Sequence, residues 1–223
     1  MMKRSKSTEA RQQQAIEQKS ALLKNVETAD FLKIQPLTYR TDVLASFSDV
    51  SVIYDDRPVF QPMSFEIRRR ERIFLDGKNG CGKSSLLKLL SEYAPEHTGT
   101  VTIGSGLVIS YVPQDTSHLG GTLSQFAEKH HLDEAILRKM DFERVQFEKD
   151  ISDFSGGQKK KVLIAKSLCE QAHLYVWDEP LNFIDVYSRM QIEQLIETFS
   201  PTMLLVEHDN AFREAIATQV IRL

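Results

Sequence analysis

The chain has 223 residues and is 41% hydrophobic, long enough for one sizeable core or a core with a small subdomain. Its 28 basic and 31 acidic residues leave a net charge of −3, which gives no whole-chain argument for nucleic acid, and no apolar run approaches the roughly 20 residues of a membrane-spanning helix. The charge is unevenly placed: up to Arg40 eight cations face four anions, so that everything after it is clearly acidic.

Residues 1 to about 35 hold no Gly or Pro and are rich in Gln, Lys, Glu and Ala, with only Ile16, Leu22, Leu23, Val26, Phe31 and Leu32 to bury. They read as a solvated helical arm, as one strand of a weak helical hairpin, or as a loose terminal extension. Fully helical, such a segment spans on the order of 50 Å. After Pro36 the texture changes to the β patterns "FSDVSVIY" and "MSFEI", then to the apolar runs "RIFLDG", "VISYVPQD", "LYVWDEP" and "TMLLVEHD". Continuous apolar runs predict strands buried on both faces of a parallel sheet. Helical patterns over Lys83–Glu92, Gly156–Gln171, Ser188–Phe199 and Asn210–Ala217 separate them, so the expected class is α/β. Asp115–Asp153 carries helical pattern without a strong strand and predicts a small inserted helical lobe. The run "RRRER", Arg68–Arg72, reads as a solvated hairpin or as an RNA patch. Cys81 and Cys169 lack metal-ligand spacing and the Met-Met-Lys-Arg start leads into polar residues, which together predict reduced thiols and a cytoplasmic protein.

"GKNGCGKS", Gly77–Ser84, fits the phosphate-loop pattern and lies where that pattern must lie, between a strand and a helix. Its glycines let backbone N–H groups point at a phosphate, Lys83 supplies charge to the β- and γ-phosphates, and Ser84 offers a hydroxyl to Mg²⁺. "HLYVWDEP" delivers Asp178 and Glu179 at a strand's carboxyl end, where one acid can hold Mg²⁺ and the other can orient an attacking water. His208 ends another apolar run and is expected on the same sheet edge, whereas His97, His118, His130, His131 and His173 read as structural. "SDFSGGQKKK", Ser152–Lys161, adds a second anion-binding helix entrance far from the first.

In this order the phosphate loop, Gln114 in "YVPQD", "FSGGQ", "LYVWDEP" and His208 resemble the ATP-binding-cassette (ABC) family over Ala45–Leu223. The resemblance implies a P-loop NTPase fold with a mainly parallel core sheet, an antiparallel β subdomain and a helical subdomain at about 115–155, within a cassette at 41–223 that follows a basic helical arm at 1–40. It implies ATP and Mg²⁺, with Glu179, His208 and Gln114 catalytic and Ser84, Gln114 and Asp178 around the metal. Nucleotide contacts are implied for Gly77, Asn79, Gly80, Cys81, Gly82, Lys83, Ser84 and Ser85, with Tyr54 stacking on adenine. Two cassettes pack head to tail in this family, so Ser155, Gly156, Gly157 and Gln158 would hold the partner's γ-phosphate and Asp185 would face the partner. The basic Gln-rich start resembles the inter-domain arm of ABC-F proteins, which act on the ribosome with its rRNA and tRNA. "DEPLNFIDVYSRMQIE" resembles Vga- and Lsa-type antibiotic-resistance ABC-F proteins, Leu181 and Phe183 departing from the wider "DEPTNHLD". The chain is then expected to be a C-terminal half that needs a second cassette. The competing expectations are the ATP-hydrolysing subunit of a membrane transporter and an ATP-gated scaffold.

Overall fold

Four apolar runs of the sequence become neighbouring strands in the computed structural model, which describes residues 32–91 and 94–223. In chain order the elements are β1 (Val43–Tyr54), β2 (Arg57–Pro58), β3 (Met63–Arg68), β4 (Arg72–Asp76), α1 (Lys83–Lys88), β5 (His97–Ile103), β6 (Ile109–Val112), α2 (Leu123–Lys129), α3 (Glu134–Lys139), α4 (Gly156–Cys169), β7 (Leu174–Asp178), α5 (Val186–Phe199), β8 (Met203–Val206), α6 (Asn210–Ile216) and β9 (Gln219–Arg222), with two short 3-10 turns at Arg144–Glu148 and Ile151–Asp153. One sheet is wholly parallel in the order β6-β7-β8-β4-β9. The other is antiparallel, with β1 pairing β2, β3 and β5.

Alternation along the parallel strands explains why their sequences lack a polar side. Ile73, Leu75, Val176, Leu204 and Val206 join the core beneath α1 and the antiparallel sheet, while Phe74, Tyr175, Trp177, Met203 and Leu205 join the core under α4, α5, α6 and the helical lobe. Both faces are therefore apolar, as a doubly covered parallel sheet requires. Within the second core a small polar knot is fully partnered. Trp177 Nε1 donates to Ser167 Oγ at 2.9 Å, the Ser167 and Ser110 hydroxyls lie 2.6 Å apart, and Ser110 Oγ donates to Glu170 Oε2 at 2.6 Å.

Several expectations are corrected. Of the helical arm expected at 1–40, residues 1–31 lie outside the described residues, and Leu32–Tyr39 is not helical. Leu32 and Ile34 are buried in the core and Leu37 N donates to Ala172 O at 2.8 Å, and the compact unit runs from Leu32 to Leu223. Pro36 accounts for the extended course, because its ring excludes helix both at itself and at the residue before it. "RRRER" is not a hairpin, since β3 belongs to the antiparallel sheet and β4 to the parallel one. Its arginines serve that turn: Arg68 pairs with Asp42 and Glu66, and Arg72 Nε donates to Ile216 O at 2.6 Å. Strands β5 and β9 carry no apolar run and are edge strands with mostly exposed residues. His173 is structural as expected, its Nδ1 accepting from Val108 N at 2.9 Å while its ring meets Tyr39 edge-on.

Replacing Ser167 with Ala leaves the buried Trp177 N–H without its acceptor. The expected cost is about 1–3 kcal/mol of unfolding free energy, measured by urea titration followed through Trp177 fluorescence.

Candidate functional site

The parallel register delivers three strand ends to one level. Leu75 of β4 and Asp178 of β7 both stand beside Val206 of β8, so the chain leaves β4 into Gly77, β7 into Glu179 and β8 into Glu207 and His208 along a common edge. There a cleft of about 590 Å³ opens, walled by the phosphate-loop residues Asn79, Gly80, Gly82, Lys83, Ser84 and Ser85, by Gln114, Glu179 and His208, and on the antiparallel-sheet side by Tyr54 and Val59. Asn182 also lines it, and sequence reasoning passed over that residue because nothing in a short post-strand loop marks one amide as inward-facing.

Glu179 is the most constrained group in this cleft. Gln114 Nε2 donates to its Oε2 at 2.9 Å and Asn182 Nδ2 to the same oxygen at 2.5 Å, while His208 Nε2 lies 3.4 Å from Oε1. Its backbone is fixed as well, with φ at 49° and its N–H donating to Val206 O at 2.8 Å. Behind it, buried Glu207 accepts from Leu181 N through Oε2 at 3.0 Å and from His208 N through Oε1 at 2.7 Å. A carboxylate directly at the end of an apolar run was the available signal for Glu207.

On the loop side Lys83 is buried and its Nζ donates to Gly77 O at 2.7 Å and Lys78 O at 3.1 Å. Gly80 sits at φ 78° with open space where a Cβ would be, so backbone conformation rather than crowding demands glycine. Cys81 stands behind the loop, where a Cβ at Gly77 would come within 2.7 Å of its Sγ. Asp178 ends β7 fully buried. Burial pushes its carboxyl up, and the Ser84 hydroxyl bonded to it pulls the other way. Its Oδ1 has no hydrogen-bond partner among the described residues, an orphaned buried acceptor next to a hydroxyl. Among the described residues no group of three or more His, Cys, Asp or Glu could hold a metal. A hard ion such as Mg²⁺ that takes most of its ligands from phosphates and water still finds oxygen donors of the right kind in Ser84, Asp178 and Gln114.

The second helix entrance lies outside this cleft: Ser155, Gly156, Gly157, Gln158 and Asp185 form none of its walls. Ser155 caps α4, accepting from Gln158 N at 3.3 Å while its own N–H donates to Gln158 Oε1 at 3.0 Å. Gly157 is buried and has no room for a side chain, since the Phe183 carbonyl would stand 2.3 Å from a Cβ there, whereas a Cβ at Gly156 meets Phe183 only at 3.5 Å. Asp185 caps α5, accepting from Ser188 N and Ser188 Oγ at 2.9 Å each, and pairs with Lys161 of α4 at 2.6 Å. Phe183, Val186, Tyr187 and Met190 are exposed beside this region.

Burial by itself lifts the Asp185 carboxyl, but the Lys161 ammonium and the Ser188 N–H and hydroxyl outweigh it and hold it at about 2. The folded value lies below the ordinary value of about 3.9, so this group stabilises the fold above that value and the contribution is lost as pH falls through about 2. Asp185→Asn keeps the helix cap and removes the charge. Wild type is therefore expected to melt higher than the variant at pH 7 and to lose most of that margin near pH 2.5, compared by calorimetry at both pH values.

A family profile described as ABC transporter matches residues 60–182. The chain is 31% identical over 183 residues to the ATP-binding protein Uup of Caulobacter vibrioides, covering 76% of this chain and 30% of Uup. It is 29% identical over 180 residues to ABC transporter F family member 2 of Arabidopsis thaliana, covering 76% of this chain and 26% of that protein. It is also 31% identical over 195 residues to the zinc import ATP-binding protein ZnuC 1 of Aliivibrio fischeri, covering 81% of this chain and 75% of that one. The chain thus spans about a third or less of the first two relatives' length. A solved structure described as the ATP binding subunit of an ABC transporter superposes with a TM-score of 0.67 at 24% identity over 81% of this chain and 85% of that chain, a likeness of fold. With the profile covering more than half of the sequence, and the phosphate loop, Gln114, Glu179 and His208 gathered at one sheet edge, the chain belongs to the ABC transporter family of ATP-binding domains.

Proposed function

We propose that the chain is an ATP-hydrolysing cassette of the ABC-F type, the C-terminal half of a protein that acts on the ribosome in antibiotic resistance by ribosome protection. One observation carries the ATPase reading: the Glu179 carboxylate, held by side chains that follow three different strands, faces the cleft that the phosphate loop walls. Glu179 orients the attacking water and takes its proton, with Gln114 and Asn182 fixing one oxygen so that the other stays aimed. His208, half exposed at the cleft rim, contacts the γ-phosphate. Lys83 turns from the loop carbonyls to the β- and γ-phosphates, which the amides of the loop from Gly77 through Asn79, Gly80, Cys81 and Gly82 to Ser84 and Ser85 also bind. Tyr54, about half exposed, offers its face to adenine. Mg²⁺ when bound, held by Ser84, Asp178 and Gln114, neutralises charge on the β- and γ-phosphates.

Ser155, Gly156, Gly157 and Gln158 lie off this chain's own cleft and are assigned to the γ-phosphate of a second cassette, with Asp185 on the shared face. The exposed apolar surface of Phe183, Val186, Tyr187 and Met190 beside them supports a covering partner. The relative named as an F family member and the likeness of residues 178–193 to Vga- and Lsa-type proteins support the ribosomal reading and the cytoplasmic location that goes with it. A second reading, the ATPase subunit of a membrane transporter, is favoured by the zinc import relative, of which this chain covers 75%. Among the described residues no helix is long and apolar enough to cross a membrane.

Glu179→Gln is expected to retain ATP binding, to lower turnover on the order of 10²–10⁴-fold, and to accumulate an ATP-bound complex that pellets with ribosomes. Deleting residues 1–31, which stops short of buried Leu32, should weaken that pelleting, and the salt slope should fall by about 0.7–0.9 for each phosphate that the shortened chain no longer neutralises. Pelleting only with membranes carrying spanning subunits would establish the transporter reading in its place.

The pairing of half-sites is tested by mixing two inactive variants, Lys83→Ala and Gly156→Asp. Gly156 is the better position, because a side chain at Gly157 would collide with Phe183 within the same chain. If "FSGGQ" of one chain completes the partner's site, one intact site re-forms in each heterodimer and ATPase activity returns with a steep dependence on protein concentration. Cis action would leave a lesion in every site and return none.

A further inference from the structure

We propose that Lys160 is a positioning residue for hydrolysis: a buried cation on α4 that holds the backbone just before Gln114 and just before Glu179 in one fixed relation. The inference rests on the ATPase reading above. Lys160 is 4% exposed, and its Nζ donates to Pro113 O at 2.8 Å and to Asp178 O at 3.0 Å. Each acceptor belongs to the residue that directly precedes one half of the Gln114–Glu179 hydrogen bond. One ammonium therefore ties three elements together, α4, the end of β6 and the end of β7, at the place where the water-orienting pair is assembled.

Its neighbours in the run "KKK" do something else. Lys159 Nζ donates to Ser152 O at 2.7 Å and Lys161 pairs with Asp141 and Asp185, away from the Gln114–Glu179 pair. Lys160 turns inward because it shares a helical face with buried Gly157, Ile164 and Ser167, three, four and seven residues away. Burial pulls its ammonium toward the neutral form, and the carboxylates of Asp178 and Glu179 at the end of β7, Glu207 after β8 and Asp115 after β6 favour the charged one. The charge is thus sited where it balances an acidic cluster that includes the base itself. An apolar side chain of the same length would escape the desolvation cost, but would leave both carbonyls without a donor and the acids without a counter-charge.

The test is Lys160→Met, of similar length, beside Lys160→Gln, which can still donate, both in the intact chain. Two readouts are made on each: ATP affinity and turnover separately, and backbone amide hydrogen exchange without nucleotide. Lys160→Met is expected to lower kcat about 10–100-fold while ATP affinity shifts less than about threefold, and Lys160→Gln to recover part of the loss. Exchange should rise in peptides spanning 112–116 and 177–183 and stay unchanged across β1 and β3. Unchanged exchange at both loops, or a uniform rise through the whole domain, overturns the proposal, as does a variant whose affinity and turnover fall together. A wild-type chain with no ATPase activity even at concentrations where two copies pair would refute the activity reading instead, and the exchange pattern would still decide whether Lys160 positions the two loops.

Discussion

The hydrogen-bond register of β4, β7 and β8 is the constraint on which the site depends. Because Leu75, Val206 and Asp178 stand side by side, the residues that follow them emerge together, and a slip of one residue in either ladder would turn Asp178 or the start of the phosphate loop to the opposite face. Register in turn is specified by burial on both sides. Each strand alternates between two apolar cores, and neither core can take the other's residues without exposing large side chains. Packing far from the cleft therefore sets the positions of the groups in it, and the hydrogen bond from Trp177 to Ser167 is one of the ties that keeps β7 against α4 in that register.

The acids at this edge show how the same scaffold gives neighbouring carboxyls different duties. Asp178 points into the sheet, is lifted by burial and keeps one oxygen unpaired. Glu179, the next residue, turns outward through a left-handed backbone position and has both oxygens engaged. Glu207 is a third carboxyl at the same level, consumed by backbone N–H groups of two loops. An unpaired buried oxygen invites a cation, a clamped and partly exposed one suits a base, and a fully partnered one is structural.

The core of this arrangement was legible in the sequence because its signals are either long or chemically rare. Apolar runs bounded by turn residues marked β4, β6, β7 and β8, and glycine, lysine and serine in a fixed order marked the loop between β4 and α1. Strands β5 and β9 were not legible, since each pairs at an edge with few buried residues and owes its conformation to the neighbour it bonds. Helix ends moved by up to a few residues for the same reason: the pattern over Lys83–Glu92 ends in the structure at Lys88, where i to i+3 bonds take over. The extended course of Leu32–Tyr39 could have been read from Pro36, but the polar composition before it outweighed one residue. Asn182 and Lys160 were missed because their importance lies in which backbone or carboxyl they reach, and neither composition nor spacing encodes a reach across elements. For Lys160 a signal existed in its helical phase with Gly157, Ile164 and Ser167.

The close approach of Gly157 and Phe183 reaches beyond local packing. Phe183 sits at φ 64°, an unfavourable position for a bulky residue, with its ring in solvent and its carbonyl against the glycine, so the strain is retained for the sake of the main chain. Two residues before the glycine is Ser155, and one residue before the phenylalanine is Asn182, which holds Glu179. Any backbone change at Gly157 that displaced Phe183 would therefore also disturb the neighbouring Asn182, whose side-chain amide holds the Glu179 carboxylate.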